Sequence, residues 1–233
     1  MEKFILLIIE LIRNYYHQPR ILHYLKKINV KIAFDIGTHK GETIDYFLKI
    51  PKIKKIYCFE PQEKIFSFLK ERYKNYNKII INKTALSSNN TRKYFYINKL
   101  SLTSTFSKTN TNSLWFKIKK KILGTKNTYE KKISIKTTKL DDFIKNNKIK
   151  KIDLLKIDTE GHELHILKGS KNLLRKNLVK YVLIEIHYSN MYKNYNIKKI
   201  NNFLKKNNFI FIKKFKFPLH PFADVLYKNS NLN

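Results

Sequence analysis

Cysteine and long apolar runs are nearly absent from this sequence of 233 residues. The single cysteine, Cys58, excludes an intramolecular disulfide and fits a reducing compartment, so we expect a cytoplasmic protein. The apolar run at residues 4–9 is too short to cross a bilayer, and it lacks the basic leader and cleavage site of a signal peptide. We therefore expect no transmembrane segment and leave open a weak peripheral contact with a membrane.

Acids and arginines are also scarce, whereas lysine is abundant. The 17 acids are opposed by 49 lysines and arginines, and the formal net charge is +32. Such a charge is typical of proteins that bind nucleic acids. However, arginine suits phosphate recognition better than lysine does, and the lysines here are spread along the chain. We interpret the charge as a solvated lysine surface and expect no specific nucleic-acid partner. An RNA-binding or RNA-modifying protein is the alternative.

Glycine occurs only five times, and two of the five glycines lie in one turn. An apolar run over residues 30–34 ends in Asp35, Gly37 and Gly41 follow, and a helical pattern begins at Thr43. Glycine allows backbone angles closed to other residues and lets a ligand approach the main chain. The start of the following helix offers free N–H groups and a positive dipole end. The pattern predicts a strand, a tight turn and a helix at a ligand site.

A second apolar run ends in an acid, Glu60, which lies 19 positions after Gly41. In strand–helix–strand units, an acid about 20 residues past the glycine turn binds a ribose diol. The turn lacks the G-x-G-x-x-G spacing of dinucleotide sites, and its acid suits a cationic group better than a phosphate. S-adenosylmethionine has an ammonium, a sulfonium and a ribose diol. The predicted residues of its site are Asp35, Gly37, Gly41, Glu60, Pro61 and Ala85.

Strand-like and helix-like patterns alternate along the chain, which predicts an α/β fold with a mostly parallel sheet, helices on both faces and a C-terminal antiparallel hairpin. We expect one domain over residues 29–228, preceded by a helical extension over residues 1–28. The helical pattern at residues 3–27 predicts packing on the sheet, with an oligomer or membrane-surface contact as the alternative. Residues 108–130 are basic and lack periodicity, so we expect an insertion or a mobile lid.

Four of the scarce acids stand at or near the ends of apolar strands. They are Asp35, Glu60, Asp158 and Glu185. In open α/β sheets, ligands bind in a crevice outside the carboxyl ends of the strands. One such acid is explained by a turn, but four of them in a chain poor in acids predict a site.

The longest motif is L-L-K-I-D-T-E-G-H-E-x-x-I-L-K-G at residues 154–169. It resembles the K-I-D-x-E-G-x-E signature of the FkbM-type family of S-adenosylmethionine-dependent methyltransferases. The other motifs of that family follow in its order, and the resemblance covers roughly residues 30–190. These motifs are D-I-G-T-H-K-G-E-T (35–43), F-E-P (59–61), T-A-L (84–86), T-T-K-L-D-D (137–142) and I-E-I-H (184–187).

The resemblance implies a class I methyltransferase (Rossmann-like) fold with a seven-stranded sheet. It also implies methyl transfer from S-adenosylmethionine, mostly to hydroxyls of sugars or polyketide-type molecules, so we expect a small-molecule or carbohydrate acceptor. The N-terminal helix and residues 108–130 depart from the usual pattern of the family. Both regions are expected to shape the acceptor pocket.

In methyl transfer to a hydroxyl, the protein aligns the reactants and removes a proton. His187 is the predicted base because an unperturbed imidazole titrates near neutral pH. Close carboxylates at Asp158 and Glu185 need a proton, a lysine or a cation between them. Two hypotheses follow: Mg²⁺ bound by these two acids, or a metal-free site in which Lys156 supplies the charge. The predicted catalytic residues are Asp158, Glu160, Glu185 and His187.

Two further classes of protein stay open at this point. A nicotinamide-dependent oxidoreductase is compatible with Glu60 alone, although the dinucleotide spacing of the glycines is missing. A binding module that keeps the fold without catalysis is compatible with the same motifs. Binding of S-adenosylmethionine compared with NAD separates the oxidoreductase from a protein that binds S-adenosylmethionine.

Overall fold

The computed structural model describes residues 2–98, 103–122, 129, 131–218 and 220–232. A π-helical turn, Arg13–His17, joins the first two helices. The helices are α1 (Glu2–Ile12), α2 (Gln18–Lys27), α3 (Glu42–Leu48), α4 (Glu63–Arg72), α5 (Leu114–Ile122), α6 (Leu140–Asn146), α7 (Glu163–Gly169), α8 (Lys171–Arg175) and α9 (Ile197–Lys205). The strands are β1 (Ile32–Ile36), β2 (Lys55–Phe59), β3 (Ile79–Asn82), β4 (Ala85–Leu86), β5 (Arg92–Ile97), β6 (Lys131–Thr138), β7 (Ile152–Ile157), β8 (Val179–His187), β9 (Phe209–Lys216) and β10 (Phe222–Asn229).

Seven strands form the main sheet, in the order β3-β2-β1-β7-β8-β10-β9. The strands from β3 to β8 pair in parallel, and β10 runs antiparallel to both of its neighbours. The predicted sheet and its C-terminal hairpin are therefore confirmed. The register places Asp35 opposite Lys156 and Glu185 opposite Asp224. A small second sheet has the order β4-β6-β5.

Helices cover both faces of the main sheet, as the alternating pattern predicts. Side chains of α6, α7, α8 and α9 pack on one face, and side chains of α2, α3 and α4 pack on the other. Strand β7 lies between these layers, and all six of its residues are buried. This arrangement explains why the four apolar residues of Ile152–Ile157 do not alternate with polar ones: a strand that is covered on both faces shows no alternation.

The N-terminal region is helical from Glu2 to Lys27, with Pro19 in the first turn of α2, where proline is tolerated. The predicted packing on the sheet is correct for α2, because Ile21 and Leu25 are buried. It is wrong for α1, where Phe4, Leu7, Ile9 and Leu11 are exposed. Amphipathic periodicity shows which side chains lie on the same face of a helix. It does not show whether another part of the protein packs against that face.

Residues 108–130 contain a helix, α5, where we expected no regular structure. The reason is visible in the sequence, because Leu114, Ile118 and Ile122 recur every fourth residue between lysines. Residues 123–128 and 130 lie outside the described part of the chain. The segment before α5 is anchored, because the N–H of Asn110 donates to the carbonyl of Met191 at 2.7 Å. In the described ranges, no helix is both long and apolar enough to cross a bilayer.

Candidate functional site

A cleft opens at the carboxyl ends of β1, β2 and β7, where the strand-end acids were expected to meet. One wall is the turn after β1 together with residues 60–62, and the opposite wall is the segment 158–162. Residues 84–86 and the aromatic rings of Phe95 and Phe106 complete the lining. The parallel order of the three strands brings these segments to one edge of the sheet.

Glu60 lines the cleft, although only 3% of its surface is exposed. Its Oε2 accepts a hydrogen bond from the N–H of His39 at 3.1 Å, and its Oε1 accepts one from the N–H of Gln62 at 2.9 Å. Burial raises the pKa of Glu60, and these hydrogen bonds oppose that rise. The carboxylate is held rigidly, and each oxygen keeps a lone pair for a hydroxyl in the cleft.

The two glycines of the first turn have different surroundings. Gly37 lines the cleft with φ +87°, and a Cβ there would lie 1.8 Å from the carbonyl oxygen of Asp158. Gly41 has φ +93°, and a Cβ there would lie 2.3 Å from the hydroxyl of Tyr73. That hydroxyl donates to the Gly41 carbonyl at 3.0 Å. Gly37 therefore lets the turn after β1 pack directly against the backbone of Asp158, and Gly41 lets the ring of Tyr73 close over the start of α3.

The predicted cofactor residues divide into two groups. Four of them line the cleft: Gly37, Glu60, Pro61 and Ala85. The other two, Asp35 and Gly41, do not line it. The Asp35 carboxylate is fully buried, with Oδ1 lying 3.8 Å from Nζ of Lys156. Burial raises the pKa of Asp35 to about 6, against the lowering effect of the Lys156 charge. The strand-end pattern cannot separate the two groups, because it fixes the edge of the sheet and not the direction of each side chain.

Lys156 is buried at the centre of the acids. Its Nζ lies 2.9 Å from Oδ2 of Asp158, which lines the cleft. Burial acts to lower the pKa of Lys156, but the charges of Asp158 and Asp35 raise it above its ordinary value. Burial raises the pKa of Asp158, and the Lys156 charge opposes that rise. Lys156 therefore stays a cation, and its charge stabilises the carboxylate of Asp158.

Glu185 and His187 are not among the residues that line the cleft. Burial and the charges of Asp158 and Glu160 raise the pKa of Glu185 well above its usual range. Oε1 of Glu185 lies 3.1 Å from Nε2 of His187. The His187 ring, which is 2% exposed, packs against Tyr192 with the ring centroids 5.1 Å apart. Of the four predicted catalytic residues, Asp158 and Glu160 are the two that reach the cleft.

Within the part of the chain that the structure describes, no group of three or more His, Cys, Asp or Glu residues is arranged to hold a metal ion. The magnesium hypothesis for Asp158 and Glu185 therefore gains no support. The lysine hypothesis fits the geometry, because the ammonium of Lys156 contacts Asp158 directly.

Comparison with known proteins bears on this site. Residues 35–211 of the 233 match the Methyltransferase FkbM domain. The chain belongs to the FkbM methyltransferase family. The resemblance found in the motifs is thus confirmed, and the matched region includes the cleft, Lys156 and the acids at the strand ends.

Two curated relatives of this FkbM-family chain carry methyltransferase names. Hexuronic acid methyltransferase AglP of Haloferax volcanii is 40% identical over 58 residues, which are 25% of this chain and 23% of AglP. The 2-O-methyltransferase NoeI of Sinorhizobium fredii is 22% identical over 210 residues, which are 86% of this chain and 80% of NoeI. The match to AglP therefore spans about a quarter of either protein, and the match to NoeI spans most of both.

Solved structures show the same fold at low sequence identity. Methyltransferase FkbM from Methylobacillus flagellatus KT has a TM-score of 0.56 and 16% identity, and the match covers 86% of this chain and 44% of that one. Aeropyrum pernix fibrillarin, crystallised with natively bound S-adenosylmethionine, has a TM-score of 0.51 and 10% identity, and the match covers 90% and 74%. The likeness establishes the class I methyltransferase fold, which is an S-adenosylmethionine-binding fold.

Two buried residues near the acids were missed in the sequence of this FkbM-family chain. Asp224 lies on β10, and its Oδ2 is 2.7 Å from Nε2 of His17, which lies in the π-helical turn. Both side chains are buried. An acid inside the apolar run from Phe222 to Leu226 was the available signal, but nothing local connects it to a histidine 207 positions earlier.

Tyr192 was also missed. Its hydroxyl donates to Oε2 of Glu160, and its ring occupies the space next to Gly161, where a Cβ would lie 2.6 Å from the ring. Tyr192 thereby fixes Glu160 at the wall of the cleft. His162 also lines the cleft, and its Nε2 lies 2.9 Å from Oγ of Ser87.

Proposed function

We propose that this FkbM-family chain transfers a methyl group from S-adenosylmethionine to a hydroxyl of a sugar or glycoconjugate. The observation that carries the proposal is the cleft itself, with a rigidly held carboxylate, Glu60, on one wall and the Asp158–Lys156 pair on the other. The names of AglP and NoeI supply the acceptor class, because one names a hexuronic acid and the other a 2-O position.

The lining of the cleft fits the cofactor. The oxygens of Glu60 keep lone pairs for the two ribose hydroxyls, and the lack of a side chain at Gly37 lets the turn after β1 pack against the backbone of Asp158 at the edge of the cleft. Pro61, Ala85 and Leu86 offer apolar surface for a purine ring. When bound, S-adenosylmethionine supplies an electrophilic methyl group on a sulfonium. We assign Glu60 to the ribose and residues 84–86 to the adenine.

The acceptor hydroxyl must lose its proton as the methyl group arrives, and we assign that proton to Asp158. This carboxylate lines the cleft, and burial raises its pKa, which brings a carboxylate closer to the range of an effective general base. Lys156, at 2.9 Å, holds the side chain in place before and after it accepts the proton. His187, the base that we predicted, is buried against Glu185 and the Tyr192 ring and supports the wall from within the fold.

Cofactor binding is tested by calorimetry with S-adenosylmethionine and NAD side by side. We expect binding of S-adenosylmethionine only, and a loss of affinity of roughly tenfold or more in Glu60→Ala, since hydrogen bonds to a charged group contribute about 1.5–3 kcal/mol. Glu63→Ala is the matched control: its carboxylate is 64% exposed, it pairs with Lys83 and it does not line the cleft. Binding of NAD without S-adenosylmethionine, or wild-type affinity in Glu60→Ala, contradicts the assignment.

Catalysis is tested with the Asp158→Asn variant and a labelled methyl donor. We expect binding of S-adenosylmethionine to be kept and methyl transfer to fall by about 10²–10⁴, the range for loss of a general base. Acceptors for the assay are uronic acid glycosides, neutral sugar glycosides and RNA. Transfer to RNA in preference to every sugar would favour the alternative function, and full activity in Asp158→Asn would remove that residue from the mechanism.

A further inference from the structure

Helix α1 presents apolar side chains to solvent. Eight of its eleven residues are apolar, in the sequence EKFILLIIELI. The exposed fractions are 65% for Phe4, 52% for Leu7 and 46% for Leu11. Exposed apolar surface of this extent on a single element marks a contact site, because a folded domain gains free energy when such surface leaves water.

The residues that follow α1 have the composition of a membrane interface. Tyr15 and Tyr16 are 80% and 51% exposed, and the guanidinium of Arg20 lies 4.8 Å from the centre of the Tyr16 ring. Tyrosine and arginine each combine an apolar body with a polar end, which suits the boundary between lipid headgroups and acyl chains. Residues 1–27 hold five lysines and arginines against two acids.

We propose that α1 docks on the surface of a bilayer that contains anionic phospholipid. The net charge of +32 draws the protein toward such a surface, whereas it opposes the approach of a second copy of the same chain. Eleven helical residues extend only about 16 Å, roughly half of the hydrocarbon core, so α1 lies in the interface and does not cross it.

The rest of the N-terminal region connects α1 to the catalytic domain. Helix α2 is packed on the sheet through Ile21 and Leu25, and His17 is bound to Asp224 at 2.7 Å. The exposed apolar residues of α1 therefore end directly before an anchored turn. Docking of α1 holds the whole domain at the membrane surface.

The test is flotation with vesicles made of equal parts of phosphatidylglycerol and phosphatidylcholine, compared with vesicles of phosphatidylcholine alone. We expect the full chain to float with the anionic vesicles. The affinity of the Leu7→Ser/Leu11→Ser variant for these vesicles should be lower by about tenfold or more. The matched control is Ile210→Ser/Phe211→Ser. It removes two side chains of β9 that are 51% and 59% exposed, and it should bind as the wild type does.

Three results overturn the proposal. They are failure of the wild type to float with anionic vesicles, equal binding by the wild type and the Leu7→Ser/Leu11→Ser variant, and a wild-type dimer in light scattering that this variant converts to a monomer. Failure to float excludes docking on the membrane. Equal binding by the two proteins assigns vesicle binding to lysine charge alone. A dimer that the variant converts to a monomer shows that α1 contacts a second copy of the chain. The substituted side chains are exposed, so an unchanged unfolding midpoint is expected and verifies that the variant is folded.

Discussion

At the scale of single residues, Glu163 shows how the signature motif builds the wall of the cleft. Its Oε1 accepts hydrogen bonds from the N–H groups of Thr159 and Gly161, at 3.1 and 3.0 Å. Its Oε2 is buried and has no hydrogen-bond partner among the described residues. Burial raises the pKa of Glu163 to about 7. The second glutamate of the motif therefore organises the turn that presents Asp158 and Glu160.

The pKa of Glu163 predicts a pH dependence of stability. The pKa of Glu163 in the folded protein, about 7, exceeds its ordinary value of 4.5, so the stabilisation is complete below pH 4.5 and is lost as the pH rises toward 7. The loss amounts to roughly 3 kcal/mol. Glu163→Gln keeps the accepting oxygen and cannot ionise, so its free energy of unfolding should fall less over this range. Urea unfolding of both proteins between pH 4.5 and pH 8 measures the difference, and parallel curves would contradict the assignment.

The sequence identifies the strand-end acids because their position follows from the alternation of strands and helices. It does not separate Glu60, which faces the cleft, from Asp35, which is buried beside Lys156. That difference depends on the direction of each side chain at the sheet edge, which the strand-end pattern does not fix. Asp224 was missed because nothing local connects this acid, which lies within β10, to its partner His17, 207 positions earlier.

At the scale of elements, the π-helical turn is bound to β10 through His17 and Asp224. We expect His17→Ala to lower the free energy of unfolding by about 3 kcal/mol, because it leaves a buried carboxylate without its partner. Arg72→Ala is the control, since it breaks the exposed Arg72–Asp45 pair and should cost less than about 1 kcal/mol. Urea unfolding measures both losses. Equal losses would mean that the buried pair has no special role.

Helix α5 lies in the basic segment that we expect to cover the acceptor. Leu114 is 68% exposed, and residues 108–110 contact the loop that carries Tyr192. We propose that α5 closes over the acceptor, so its amides should exchange hydrogen rapidly in the free protein and more slowly with cofactor and acceptor bound. Hydrogen exchange with mass spectrometry measures this. The amides of the buried strand β7 serve as the reference, and strong protection of α5 in the free protein would contradict the proposal.

Strands and packed helices of this protein follow from the sequence more completely than its peripheral elements do. The all-buried β7 and the helices α2, α3 and α4 follow from apolar periodicity, because tertiary packing agrees with the local pattern. Helix α5 was missed because lysines hide its four-residue apolar spacing. The exposure of α1 was missed because periodicity does not report the partner of a face.

At the scale of the whole molecule, the charge of +32 predicts weak attraction to any polyanion. Dispersed lysines make phosphate contacts that release counterions, so binding to RNA should fall steeply with salt and vanish near 200 mM. Fluorescence anisotropy with two RNAs of unrelated sequence, measured from low to moderate salt, tests this. We expect no preference between them. Submicromolar binding to one RNA at physiological salt would restore the RNA-modifying function as the better interpretation.

The position of β10 between β8 and β9 affects the order in which the chain folds. The strand that carries Asp224 enters the sheet beside Glu185, and Asp224 also meets His17, which lies 207 positions away in sequence. Contacts of such separation are slow to form, because a long loop must close before they contribute. Until then β8 is an open edge and the acids around Lys156 remain hydrated. We expect the cleft to form late in folding. We also expect partly folded chains that lack β10 in the sheet to aggregate through the unpaired edge of β8.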